Sequence, residues 1–162
     1  MAKKCAYFGC LLAFAVICSY VEFLLPINLG IPGIKLGLAN VVAVYILYKD
    51  GLASAMAVNV ARVLLSGLLF GNAMSVVYSL SGAVLSLLVM FFIKKASIFS
   101  TVGVSVAGAV FHNIGQLLAA LMVIGFTAVM YYLPFLTIAG VITGFLIGLM
   151  AGYIINRVKF KF

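Results

Sequence analysis

The sequence predicts an all-α integral membrane protein with six transmembrane helices in a single domain. Hydrophobic residues make up 67% of the 162 residues, charged residues make up 7%, and the mean hydropathy is +1.38. In a soluble domain about 25% of the residues are charged. The apolar runs are continuous and do not alternate with period 2, which favours helices over a membrane β-barrel. Because a spanning helix needs roughly 20 residues, the chain has room for six spans joined by short loops.

Six apolar segments are the predicted spans. The first ends before Pro26, and the presence of Glu22 without a small-residue cleavage site favours a retained span over a signal peptide. The second has about 15 residues, or ~22 Å at 1.5 Å per residue. Tilt, a partly re-entrant course or an upstream extension through Pro32 would each accommodate its shortness. The predicted spans are 7–25, 34–48, 51–70, 75–93, 100–124 and 135–156.

The basic residues predict that both chain termini lie in the cytoplasm. In that orientation Lys35 lies outside, Arg62 lies within the membrane, and the turns at Asn72 and Phe126 lie outside, which is a strong positive-inside bias. The net charge of +8 therefore indicates topology. No nucleic-acid partner is expected, because the basic residues form no cluster on a folded surface. The basic residues placed in the cytoplasm are Lys3, Lys4, Lys49, Lys94, Lys95, Arg157, Lys159 and Lys161.

Arg62, in the middle of the third span, is the strongest indication of a functional site. A guanidinium at bilayer depth costs about 3 kcal/mol on insertion scales, so it needs a partner, a wet cavity or a function. Asn59 precedes it and Ser66 follows it on the same helix face, at spacings of three and four residues. Two interpretations remain open. Arg62 either binds a ligand or forms a structural pair with Glu22 or with amide side chains.

Further polar residues are placed to share a pocket with Arg62. The 111–116 motif, Phe-His-Asn-Ile-Gly-Gln, separates His112 and Gln116 by four residues, and Lys35 would attract an anion at the pocket mouth. Each of these residues also has a structural alternative. The asparagines could form interhelical hydrogen bonds, and His112 could be a hydrogen-bonded core histidine. The serines of a stripe on the fourth span could bond to their own backbone. That stripe comprises Ser75, Ser79, Gly82 and Ser86. The predicted ligand-binding residues of an outward-facing pocket are Arg62, Asn59, His112, Asn113, Gln116, Lys35, Asn40 and Glu22.

The sequence contains no recognisable catalytic or metal-binding constellation. Its acidic residues are Glu22 and Asp50, so a carboxylate dyad is not encoded, and neither a Walker loop nor a dinucleotide fingerprint is present. Cys5, Cys10 and Cys18 lack the C-x-x-C spacing, and the chain has one histidine, so neither a metal cage nor a disulfide framework is indicated. We expect a protein that is not an enzyme and that binds no cofactor.

Two groups of small residues predict close helix packing of the small-xxx-small type. In the last span they either contact a neighbouring span or form a docking face for another subunit. The shorter group, near the cytoplasmic end of the first span, is a candidate docking face for a membrane partner. The last span contains Gly140, Gly144, Gly148 and Gly152, and the first contains Ala6, Gly9, Cys10 and Ala13.

Residues 33–40 (Gly-Ile-Lys-Leu-Gly-Leu-Ala-Asn), the 111–116 motif and six spans in a chain of this size resemble a bacterial membrane family. It is called "Gx transporter" or "heptaprenyl diphosphate synthase component I", and it is similar to the substrate-binding (S) components of energy-coupling factor vitamin transporters. The resemblance implies a six-helix bundle in the bacterial cytoplasmic membrane and an outward-facing pocket. It also implies that Ala6, Gly9, Cys10 and Ala13 contact a transmembrane coupling subunit driven by two ATPases.

Two functions follow as hypotheses. The first is a transporter subunit, embedded in membrane lipid, that captures a small anionic or polar organic molecule from outside. The second, suggested by the resemblance, is a membrane component of a quinone-, isoprenoid- or flavin-linked extracellular electron-transfer system, with quinone or flavin as cofactor. In either case the synthase label would be non-catalytic, because prenyl diphosphate synthases need aspartate-rich motifs to bind Mg²⁺.

Overall fold

The computed structural model describes residues 2–25, 36–124 and 126–158, with side chains described except at 123–124 and 126–129. These residues form helices and no strand, which confirms the predicted all-α class. In chain order the helices are α1 (Ala2–Leu24), α2 (Leu38–Lys49), α3 (Leu52–Phe70), α4 (Ala73–Ala96), α5 (Thr101–Ile124) and α6 (Phe126–Arg157).

Five of these helices are long and apolar enough to cross a membrane, so the protein is a multi-pass membrane protein. The remaining helix, α2, has 12 residues and is therefore about 18 Å long, against ~30 Å for the hydrocarbon core of a bilayer. The segment predicted as the second span is thus present as a helix that covers about three-fifths of this thickness. Residues 34 and 35, where that span was predicted to begin, lie outside the described residues.

The first and last helices extend beyond the predicted spans. Helix α1 begins at Ala2 rather than at residue 7. Helix α6 begins at Phe126 rather than at residue 135, and it continues through Pro134. Proline removes a backbone donor and usually ends or kinks a helix. Membrane helices tolerate it because neighbouring groups satisfy the carbonyls that it leaves without a donor.

Helix α2 forms the centre of the bundle. Every residue from Val41 to Leu47 is buried, and the helix contacts α1, α3, α4 and α6. A helix that is apolar on all sides is expected to be buried on all sides, and α2 follows that rule. The surrounding helices expose large apolar side chains, such as Leu68 at 84% and Met122 at 92%, as expected of a surface that faces lipid.

One end of the bundle, called here the basic end, contains Lys94 and Arg157. At this end the Lys94 Nζ donates a hydrogen bond to the backbone oxygen of Leu47 (2.7 Å). The Tyr7 hydroxyl donates to Oδ2 of Asp50 (3.0 Å), in the turn after α2. These bonds join the C-terminal end of α2 to α4 and α1.

The glycines of α6 lie against α5. A Cβ atom added at Gly144 or Gly148 would lie 2.7 Å from a backbone Cα of α5, and one added at Gly140 would lie 3.2 Å from another. At Gly152 the nearest atom is the Thr101 Cβ at 3.9 Å, an ordinary van der Waals distance. The first three glycines are therefore occupied by packing within the chain, and the two helix backbones approach each other closely there.

A second close approach joins α4 to α5. A Cβ atom at Gly115 would lie 2.8 Å from the Cα of Gly82, and a Cβ at Gly82 would lie 2.7 Å from the backbone oxygen of His112. Gly82 belongs to the stripe predicted on the fourth span, but this contact was not predicted. The contact places His112 and Gln116 directly beside α4.

Helix α1 packs against α2 and α3, and its small residues lie on the other side. Ala6, Gly9, Cys10 and Ala13 are all exposed. A Cβ atom added at Gly9 would meet nothing within 4 Å. This face of α1, called here the α1 stripe, is therefore available at the surface of the bundle.

Candidate functional site: a polar cavity at the N-terminal end of α2

A cavity of about 320 Å³ lies in the half of the bundle remote from the basic end. Residues Gly37, Ala39 and Asn40, at the start of α2, belong to its lining, because α2 is too short to fill the interior along the full length of its neighbours. The volume falls in the range of small-molecule sites, roughly 300–1,000 Å³. The polar residues of the lining are Ser19, Glu22, Asn40, Arg62, Ser66, Asn72, Ser75, Ser79, His112, Asn113, Gln116 and Thr143.

Arg62 reaches this cavity from α3 and is 9% exposed. Its Nε and Nη2 both donate to Oδ1 of Asn59, at 2.9 and 2.7 Å, and its Nη1 donates to Oγ of Ser19 at 3.1 Å. A guanidinium has five N–H donors, so these bonds use three of them. The other two N–H groups, one on each terminal nitrogen, have no acceptor within the described ranges.

The two partners of Arg62 are themselves fixed in place. Asn59 is 4% exposed and lies one turn before Arg62 on α3, and Ser19 is 8% exposed on α1. The Ser19 hydroxyl donates its hydrogen to the backbone oxygen of Ala15 (3.1 Å), which leaves a lone pair directed at the guanidinium. Two helices therefore orient Arg62 through hydrogen bonds within the protein.

Glu22 lies one turn beyond Ser19 on α1 and also lines the cavity. Its Oε1 accepts a hydrogen bond from the backbone N–H of Leu38, the first residue of α2. The preceding residue, Gly37, has φ 75° and no capping side chain, so the first N–H groups of α2 need an acceptor from elsewhere. A carboxylate is favoured at a helix N-terminus, and Glu22 supplies it while joining α1 to α2.

Helix α5 supplies the residues of the 111–116 motif. His112, Asn113 and Gln116 all line the cavity. The Asn113 side-chain Nδ2 donates to the backbone oxygen of Leu136 (2.7 Å). Asn113 thus forms an interhelical hydrogen bond between α5 and α6, the structural alternative considered for it, and it also contributes to the lining.

The structure brings together most of the residues predicted to bind a ligand. Asn59 differs, because it lies behind Arg62 and orients it without lining the cavity. Lys35 lies outside the described residues. In the fourth-span stripe, Ser75 and Ser79 line the cavity, whereas Ser86 is buried away from it. The predicted residues that line the cavity are Glu22, Asn40, Arg62, His112, Asn113 and Gln116.

Two features of the site were not predicted from the sequence. Ser19, a direct partner of Arg62, was not singled out, although it precedes Glu22 by one helical turn and so extends a polar face of α1. Phe23 and Phe70 also line the cavity, with ring centroids 5.4 Å apart. Their pairing across α1 and α3 depends on the tertiary arrangement and left no pattern in the sequence.

Within the described ranges no group of three or more His, Cys, Asp or Glu residues is placed to bind a metal ion. The polar chemistry of the cavity, as described, is that of one guanidinium, one carboxylate, one imidazole, and several amides and hydroxyls. Such a set can recognise a polar molecule through charge and hydrogen bonds.

One protein family, described as "Heptaprenyl diphosphate synthase component I", matches residues 11–154. The match covers well over half of the chain. The chain belongs to this family. Every residue that lines the cavity falls within the matched segment, so the cavity is built from the region that the family shares. The description names one component of a synthase and does not assign a catalytic step to it. No curated protein and no solved structure matches the chain.

Proposed function

We propose that this protein is the substrate-binding membrane subunit of a transporter, similar to the S components of energy-coupling factor transporters. It captures a small anionic or polar organic molecule in the cavity from the extracellular side. The observation that supports this function best is the position of the Arg62 guanidinium and its hydrogen bonding. The guanidinium lines the cavity, is oriented by Asn59 and Ser19, and has two N–H donors left over.

The two N–H groups of Arg62 without an acceptor in the described ranges suit an anionic group with two oxygens. All three hydrogen bonds of Arg62 go to neutral side chains, so no ion pair in direct contact balances its charge. Charge-assisted bonds from a guanidinium to a carboxylate or phosphate are strong and geometrically specific, and water competes weakly in a buried site. A ligand with such a group would supply the charge that the direct partners of Arg62 lack.

A binding role also agrees better than catalysis with the acidic residues. The chain has two of them, Glu22 and Asp50. Glu22 caps α2 beside the cavity, and Asp50 bonds to Tyr7 at the basic end. Binding of a diphosphate through Mg²⁺ requires several oxygen ligands from the protein or substrate around the ion. These two carboxylates, at opposite ends of α2, do not form such a set.

The α1 stripe supports a partner that would couple capture to transport. Its four small residues are exposed, and small residues allow close approach of another membrane helix. We propose a transmembrane coupling subunit, linked to ATPases, as the partner of this face.

The family description favours a second candidate from a different class. Because it names a prenyl diphosphate synthase, a membrane component of quinone-, isoprenoid- or flavin-linked electron transfer is the alternative. It predicts a quinone or a flavoprotein, rather than ATPases, in association with the chain.

The test is to purify the protein from membranes of its native host and identify the retained small molecules by mass spectrometry. Arg62→Lys keeps the charge but loses the planar fork, so we expect it to retain at least tenfold less ligand. Arg157→Lys, the same change at an exposed site of the basic end, serves as the matched control and should retain as much as the parent. Equal retention by Arg62→Lys and the parent would show that Arg62 is structural.

The proteins that co-purify distinguish the two candidates. A coupling subunit and ATPases support the transporter subunit. Bound quinone or a flavoprotein supports the electron-transfer component and contradicts the transporter assignment.

A further inference from the structure

Two carboxamide side chains line the cavity in addition to the guanidinium. They belong to Asn40 on α2 and Gln116 on α5, and among the residues that the structure describes neither side chain has a hydrogen-bond partner. A carboxamide has two N–H donors and a carbonyl oxygen that accepts. Leaving these groups unsatisfied in a filled site is unfavourable. A ligand that fills the cavity therefore has to bring hydrogen-bond donors as well as acceptors.

Gln116 starts from a fixed part of the bundle. A Cβ atom added at Gly82 would lie 3.0 Å from the Cγ of Gln116, so the Gln116 side chain lies directly against this glycine of α4. The backbones of α4 and α5 are in close contact there, since a Cβ atom at Gly115 would lie 2.8 Å from the Cα of Gly82. The base of the Gln116 side chain is thus confined by the packing of two helices.

Arg62 and Gln116 reach the cavity from different helices. Arg62 belongs to α3 and Gln116 to α5, and α4 contacts both of these helices. The two N–H groups of Arg62 that lack an acceptor in the described ranges can bond only to acceptors. The Gln116 carboxamide can bond to a donor and to an acceptor at once. The cavity therefore offers a cation on one helix and a neutral donor–acceptor pair on another.

These two groups restrict the ligand. A simple carboxylate satisfies Arg62 but brings no N–H group for the oxygen of Gln116. A neutral amide leaves the guanidinium without an anion. A planar amide presents an N–H donor and a carbonyl acceptor side by side, which is the pattern that a Gln or Asn side chain matches when it bonds to the edge of adenine. A molecule with both an acid and an amide replaces the hydrogen bonds of displaced water at both residues.

On this basis, which rests on the proposed capture function, we infer that the cavity takes a small carboxylic acid that also carries an amide group. Its carboxylate accepts from the two remaining N–H groups of Arg62. Its amide N–H donates to Oε1 of Gln116, and its amide oxygen accepts from Nε2. Arg62 supplies the attraction for the charge, and Gln116 distinguishes this acid from acids that lack the amide.

The test measures thermal stabilisation of the purified full-length protein by matched compounds over a range of concentrations. Succinamate, glutaramate and adipamate are amide acids of increasing length. In the matched keto acids, 4-oxopentanoate, 5-oxohexanoate and 6-oxoheptanoate, a methyl group replaces the amide nitrogen. In the matched diamides, succinamide, glutaramide and adipamide, a second amide replaces the carboxylate. We expect at least one amide acid to bind, and both its keto acid and its diamide to bind at least tenfold more weakly.

The decisive variant is Gln116→Met, which keeps an unbranched side chain of similar length and removes the carboxamide. We expect it to bind the amide acid about as weakly as the keto acid, and to bind the keto acid as the parent does. Asn156→Leu removes an exposed carboxamide next to Arg157 at the basic end. It is the matched control and should keep the preference of the parent for the amide acid.

Three outcomes would overturn the inference. In the first, the keto acids stabilise the parent as strongly as the amide acids, so that the site takes acids without recognising an amide. In the second, Gln116→Met keeps the preference for the amide acid. In the third, no amide acid stabilises the parent, a result that does not depend on the folding of any variant. The capture function is judged separately, by the ligand retention of Arg62→Lys, and it can stand in all three cases.

Discussion

The partners of Arg62 determine what its replacement does to stability. From the sequence alone, Arg62→Met removes a buried charge and strands no partner, so it is expected to be neutral or stabilising. The structure changes this expectation, because Asn59 is 4% exposed and its Oδ1 accepts both the Nε and the Nη2 hydrogen bonds. Without Arg62 that oxygen has lost both of these donors.

We therefore expect Arg62→Met to lower the free energy of unfolding by about 1–3 kcal/mol, the usual effect of stranding a buried polar group. The double variant Arg62→Met/Asn59→Leu should recover most of that loss, because it removes the stranded amide as well. Unfolding in detergent, followed by circular dichroism, measures both. Recovery of stability by a change at Glu22 instead would indicate that the arginine belongs to an ion pair with Glu22.

At the scale of single residues, the sequence predicted which polar side chains line the cavity better than it predicted their hydrogen-bond partners. Arg62, His112 and Gln116 are polar residues in apolar helices, where such residues are rare, so they could be recognised as candidates, and all three line the cavity. Ser19 could not be distinguished from a serine bonded to its own backbone, and it does bond to Ala15. Its second bond, to Arg62, depends on how α1 lies against α3.

Among the helices, the contact between α5 and α6 depends on the absence of side chains. At Gly144 a Cβ atom would lie 2.7 Å from a backbone Cα of α5, whereas at Gly152 the nearest atom is 3.9 Å away. The two positions lie on the same helix and differ in the space available for a methyl group.

This difference predicts opposite effects for one substitution. Gly152→Ala should be neutral or stabilising by up to about 1 kcal/mol, because alanine favours the helix. Gly144→Ala should destabilise by about 1–3 kcal/mol, because the α5 backbone must move. Melting temperatures in detergent compare them. Equal melting of the two variants would mean that α5 and α6 are not in close contact at Gly144.

The pattern of apolar residues predicted the existence of the helices but not the starting residue of α2 or the length of α6. Segment 34–48 gave no indication that the helix would begin only at Leu38, since apolar composition alone does not show where a chain becomes helical. Helix α6 passes through Pro134, where local preference favours a boundary. At Pro134 tertiary packing outweighs the local pattern, whereas α2 begins directly after Gly37, whose φ is 75°.

For the whole molecule, the alternation of helix directions can be tested by labelling. The basic-residue bias predicts that Asn72 lies outside the cell and that Lys95 lies inside. In a background with Cys5, Cys10 and Cys18 replaced by serine, Asn72→Cys should react with a membrane-impermeant maleimide in intact cells. Lys95→Cys is exposed at the other end of α4 and should react only after the membrane is opened. Labelling in the reverse pattern would invert the topology and the proposed direction of capture.

Under the proposed function, in which the cavity is open to water, the shortness of α2 also determines where the membrane voltage falls. A membrane voltage falls mainly across poorly polarisable material. Water in a cavity is highly polarisable, so the electrical potential inside a hydrated cavity stays close to that of the solution at its opening. About 18 Å of α2 then forms the insulating layer, in place of ~30 Å of hydrocarbon. A charge that reaches Arg62 crosses a small part of the field, whereas a charge that passes α2 crosses most of it, at about 2.3 kcal/mol per elementary charge per 100 mV. Under the proposed capture function, we therefore expect the entry of a charged ligand to be nearly independent of voltage, and any step that carries its charge past α2 to require most of the electrical work.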